Sequence, residues 1–214
     1  MKSKIKYLIV HLKMNIGTKI ITTLSITIYS VFSSQVIIGD DIGTVASAQK
    51  SSVLLEFAAG QNKGIILPYT RTIPSGTGLK GGTMILDATD ATKAKVKFYG
   101  PGNANASSNG WVDLSYGHEA NIISPIDYMT VQPLSTGSNA VLEDINGNTI
   151  IGAESSDADG VLVLESNSKA MVLPIVAATN DVPNPAPGMM VYVNKTGAKR
   201  LAVYNGSGWT YWKP

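Results

Sequence analysis

A chain of 214 residues with 44% hydrophobic and only 15% charged residues has the composition of a folded protein, which excludes a disordered one. Five of its 17 basic residues are lysines in the first 34 positions, ahead of the first acid, Asp40; the remainder carries 12 basic against 15 acidic groups, net −3, so a basic nucleic-acid surface is excluded. Cysteine is absent, which excludes disulfides, thiolate metal sites, a cysteine nucleophile and a lipidated cysteine.

Residues 1–34 read as a secretory signal. Lys2, Lys4, Lys6, Lys13 and Lys19 form a positive start, Ile20 to Phe32 an apolar stretch, and Ser33-Ser34 a small-residue end. Cleavage after Ser33 places Val31 and Ser33 at the recognition positions, and cleavage after Ser34 makes Gln35 the new N-terminus. The apolar stretch is too short and too rich in Ser and Thr for an anchor, which needs about 20 apolar residues. Met1 and Met14 both suit a translation start. The expected location is outside the cell or at a bacterial cell surface, associated with the outer membrane, and the membrane is a partner only during export.

The rest of the chain is written twice. Leu54-Leu55-Glu56 returns as Val163-Leu164-Glu165, and Lys63-Gly64-Ile65-Ile66-Leu67-Pro68 as Lys169-Ala170-Met171-Val172-Leu173-Pro174. From Pro68 to Gly82 and from Pro174 to Gly188 the spacing is fourteen positions in both. Each copy closes on an aromatic strand and a Gly-Trp, Phe98-Tyr99 to Trp111 and Val203-Tyr204 to Trp209. A duplicated unit of about 60 residues accounts for all of these intervals.

Within a unit the apolar runs are short, β-branched or aromatic, and end at Gly, Pro or Asn. Val53 to Phe57, Ile65 to Leu67, Thr83 to Leu86 and Val96 to Tyr99 therefore predict strands. Leu201 to Tyr204, Asn205-Gly206-Ser207-Gly208 and Trp209 to Trp212 predict a hairpin. The stretches after Pro68 and Pro174 predict crossing loops, and Ile175 to Thr179 has room for one helical turn. The expected fold is all-β: two similar small antiparallel modules of short strands and Gly/Asn/Pro-rich loops, at 35–115 and 148–214, with a connector at 116–147 that includes extra strands.

The repeat resembles one common in secreted surface proteins of Bacteroidetes-type bacteria, carried here by Leu54 to Glu56, Lys63 to Pro68, Lys169 to Pro174, Pro185 to Tyr192 and Tyr204 to Trp209. The opening Gln35-Val36-Ile37-Ile38-Gly39 is similar to the start of such proteins. This chain departs in having Tyr69 and Ile175 after the Leu-Pro pair, Ala170 in place of glycine, and Asp40-Asp41 inside the opening. The resemblance implies a surface or tail-fibre-like architecture rather than an activity.

Catalytic patterns are absent. His118 is the only histidine beyond the leader, and neither Ser115 nor Asp113 or Asp127 forms with it a sequence signature of a nucleophilic triad; an exposed loop histidine is the simpler reading. Asp144-x-Asn146-x-Asn148 and Asp157-x-Asp159-Gly160 lack the glycine and the closing acid of a calcium loop and read as turns. No catalytic residue, metal ligand or cofactor is assigned. The binding candidates are aromatic: Tyr204, Trp209, Tyr211 and Trp212. Strand alternation puts Trp209 and Tyr211 on one face and Thr210 and Trp212 on the other. The leading expectation is a structural or adhesive surface protein without catalytic activity. The alternatives are a carbohydrate-binding module using these aromatics, and a tail-fibre-like oligomeric subunit. The partners are then another copy of the chain, or a surface glycan or protein.

Overall fold

A computed structural model describes residues 35–130 and 147–212. The leader and the Asp144 to Asn146 part of the turn pattern lie outside the described residues. The described residues belong to one compact unit, and within it their fold is all-β.

The first copy runs β1 (Val36–Ile38), β2 (Val53–Phe57), β3 (Ile65–Ile66), β4 (Tyr69–Thr70), β5 (Met84–Asp87), β6 (Lys95–Tyr99) and β7 (Trp111–Asp113). The second runs β8 (Thr149–Ile151), β9 (Leu162–Leu164), β10 (Ala170–Met171), β11 (Ile175–Val176), β12 (Met189–Val193), β13 (Arg200–Tyr204) and β14 (Trp209–Trp212). The order of pairings repeats with the strands. β1 lies parallel to β2 and β8 to β9; β4 lies parallel to β5 and β11 to β12. An antiparallel meander then closes each copy, β5-β6-β7 and β12-β13-β14.

Individual bonds repeat as well. Leu86 N–H donates to Pro68 O at 2.9 Å, as Tyr192 N–H does to Pro174 O at 2.9 Å. Ala88 N–H to Thr70 O corresponds to Asn194 N–H to Val176 O. The crossing loops after the two prolines thus return the chain parallel to the strand it has just supplied. A proline cannot donate to a ladder, but its carbonyl still accepts, so the strand restarts immediately after it.

Helical structure among the described residues is limited to two 3-10 segments, Ser47–Ser52 and Thr179–Asp181. The turn expected from Ile175 falls later, because Ile175–Val176 is taken up by pairing with β12. In the connector, residues 116–130 hold turns and one antiparallel bridge, Ala120 to Ala94, and supply Ala120, Ile122 and Met129 to the core.

The two copies share strands. β2 takes β10 of the second copy on its outer edge, in parallel, and β12 takes β3 of the first copy, antiparallel. They also share a core. One cluster joins Leu67, Leu86, Val96 and Leu114 of copy one to Met190 and Val203 of copy two; a smaller one, Val176, Val182, Met189, Val191, Val193 and Ala202, belongs to copy two. Two- to five-stranded sheets of two- to five-residue strands enclose little apolar volume by themselves, so each copy covers what the other leaves bare.

Candidate functional site

The C-terminal hairpin is positioned by its turn. Asn205 is buried, and its Oδ1 accepts the N–H groups of Ser207 and Gly208 at 2.9 and 3.1 Å. Its Nδ2 donates to His118 O at 2.9 Å, tying the turn to the connector. Gly206, at φ +113°, passes so close to Ile122 that a Cβ would meet its Cγ2 at 2.9 Å. Glycine is required there both for conformation and for space.

The four aromatics are divided as alternation predicts. Tyr204 and Trp209 stack at 5.4 Å between centroids, tilted by 49°, against the copy-two cluster. On the same face Tyr211 lies under Arg200, whose guanidinium carbon is 4.3 Å from the ring centre, and its hydroxyl is 2.9 Å from Thr179 Oγ1. The opposite face meets copy one. Trp212 Nε1 and Thr210 Oγ1 both donate to Leu114 O, at 3.1 and 2.9 Å, and Trp212 packs 5.4 Å from Tyr116. Both faces of the strand are therefore in contact with protein, and Tyr211, 38% exposed, is the most open of the four rings.

Copy one contains the same pair: Tyr99 and Trp111 stack at 5.5 Å, tilted by 56°, with Trp111 buried. A ring pair that recurs at equivalent hairpins, its tryptophan buried in copy one, is a packing device of the repeat. Tyr116 beside Trp212 and Arg200 beside Tyr211 had no sequence signal, because contacts at that separation in the chain follow from sheet pairing alone.

The buried acid of copy one has a denser environment than any aromatic. Glu56 has no exposed surface, and its carboxylate accepts from Thr44 N and Val45 N at 2.8 Å each, from Gln35 Nε2 at 2.5 Å and from Lys50 Nζ at 3.1 Å. The loop reaching it is turned by Asp40, whose Oδ1 accepts from Ile42 N and Gly43 N. Burial pushes the Glu56 carboxyl up, but the Val45 amide, Lys50 and the Thr44 amide together hold it below the usual carboxylate range. Its counterpart Glu165 accepts from Ser156 Oγ. These acids clasp the incoming loop onto the second strand of each copy. Gly43 sits at φ +72°, and a Cβ there would lie 2.2 Å from the Glu56 carboxyl carbon. Gly43→Ala is expected to lower the unfolding free energy by about 1–2 kcal/mol, measured by urea titration.

The remaining polar candidates have structural occupations. Ser115 is buried with its Oγ accepting from Val96 N at 2.9 Å, and Asp113 accepts from the amides of Ser115 and Gly117. His118 is exposed, and Asp127 accepts from the amides of Met129 and Thr130. Asp159 joins the first copy through its N–H to Gly78 O at 2.9 Å. Among the described residues no three His, Asp or Glu side chains converge as metal ligands, and no helix is long and apolar enough to cross a membrane.

Residues 150–214 match the model of a family described as a phage tail like trimerisation region. That stretch is under a third of the chain and covers the second copy from within β8 through β14. No curated protein and no solved structure matches the chain.

Proposed function

We propose that this is an exported, non-enzymatic structural protein, a subunit of a homo-oligomeric tail-fibre-like or cell-surface assembly. The observation that carries the reading is the extent of the match to a trimerisation region, which takes in the second copy of the repeat from within its first strand to its end. The geometry is consistent with such a role. The aromatics are committed to packing, the conspicuous acids to loop clasps, and the strands to pairings that cross between copies.

A basic-apolar-small leader supports export, and a surface position would make adhesion or display the task of the assembly. Cysteine-free strands this short gain stability from association, because a subunit interface buries edges that a lone protomer exposes. Light scattering on the purified full chain is expected to return three times the protomer mass at micromolar concentration. A protomer mass throughout that range would overturn the reading.

A further inference from the structure

We propose that the chain binds further copies of itself head to tail, through the same strand exchange that joins its two copies internally. Two strand pairs make the internal joint, β2 with β10 and β3 with β12. The strands β3 and β10 are equivalents, so one segment of the repeat has two edges for two partners. Leu67 N–H donates to Gly188 O at 3.1 Å, which turns the backbone groups of Ile65 and Leu67 towards β12 and those of Gly64 and Ile66 away. In β10 the opposite edge is in use: Val172, the equivalent of Ile66, donates its N–H to Leu55 O at 2.8 Å. Each copy of the segment uses one edge and leaves the other unpaired among the described residues.

Among the described residues the recipients are likewise half used. Thr149 N–H to Val161 O and Glu165 N–H to Ile151 O direct residues 161, 163 and 165 at β8. Leu162 and Leu164 then face outwards, as Val53 and Leu55 face β10 on the equivalent strand. On β5, Met84 turns its backbone away from β6 at the position where its equivalent Met190 meets Ile65. Copy two thus presents the two edges, on β9 and β10, that correspond to those by which copy one holds copy two. Copy one presents the two matching edges, on β3 and β5.

Exposure marks the same places. Val53, Leu54 and Leu55 are 4%, 2% and 0% exposed, whereas Leu162 is 47% and its neighbour Val161 60% exposed, and Ile66 on the outer edge of β3 is 52% exposed. An apolar strand with an open ladder on one side is a template for another strand. The β3–β9 half is the tighter fit. In the other half Ala170 carries a Cβ where Gly64 has none, and a Cβ on Gly64 would meet Met189 Cγ at 2.5 Å and Met190 O at 2.8 Å. Thr83 in place of Met189 removes the longer side chain, and β10 of the neighbouring chain must then stand slightly farther from Met84 O than β3 stands from Met190 O.

Such an interface is heterologous, so it closes into a ring or continues as a filament. Closure at three chains rests on the proposed function; the strand contacts rest on the edges alone. The pairing makes Ile65 of one chain the partner of Leu164 of the next, as Met171 is of Leu55 within the chain. An Ile65→Cys/Leu164→Cys variant, with no other thiol in the sequence, is expected after oxidation to give a ladder ending at three chains on a non-reducing denaturing gel. Leu162→Lys, at a site open in the protomer, is expected to release protomers in light scattering with an unchanged far-UV spectrum. Absence of an interchain disulfide, or a Leu162→Lys protein that stays assembled, overturns the proposal. If the native chain is nonetheless trimeric, the proposed function survives and only the strand exchange falls.

Discussion

Glu56→Ala is expected to lower the unfolding free energy by about 3 kcal/mol, seen as a large drop in the urea midpoint. The carboxylate is fully enclosed, and its removal leaves two backbone amides, the Gln35 amide and the Lys50 ammonium without the acceptor around which the loop is folded. Glu165→Ala is expected to cost about 1 kcal/mol, since among the described residues only Ser156 Oγ donates to that more open carboxylate. The same contacts give a pH dependence. The folded carboxyl of Glu56 is depressed, so the unfolded chain takes up its proton first as the pH falls. Its contribution is complete above the unfolded value and is lost as the pH drops through the lower, folded one. Glu56→Gln is expected to flatten this acid-side loss. Urea midpoints of wild type and Glu56→Gln falling in parallel from neutral to acidic pH would refute the assignment.

Trp111→Ala is expected to destabilise the chain by about 3–5 kcal/mol, and Tyr211→Ala by less than about 1 kcal/mol. Trp111 is 3% exposed and stacked on Tyr99, and deleting it empties the copy-one hairpin. Tyr211 contributes an exposed ring, one hydroxyl contact and a guanidinium above its face. Thermal unfolding of the two variants checks the contrast. A severe Tyr211→Ala and a mild Trp111→Ala would mean that the repeated Tyr–Trp pair is not the packing device described here.

What the amino-acid sequence determined by itself was local and periodic. Val53 to Phe57 appears in the structure as the same strand, and the hairpin from Leu201 to Trp212 gains only Arg200, because β-branched and aromatic runs bounded by Gly and Asn have few other ways to satisfy their backbone. Strand alternation also placed Thr210 with Trp212 and Trp209 with Tyr211, since side-chain direction in a strand depends only on parity. The equal Pro-to-Gly spacing anticipated that the second halves of both copies pair alike.

Pairing partners were decided by tertiary structure. Nothing in Lys63 to Pro68 or Lys169 to Pro174 says that one segment joins β12 and the other β2, because an extended strand has two chemically identical edges and the choice depends on which neighbour is in reach. The donors around Glu56 were hidden for a related reason. Backbone amides have no sequence identity, so a loop closing on a buried carboxylate becomes visible only when the chain is folded around it.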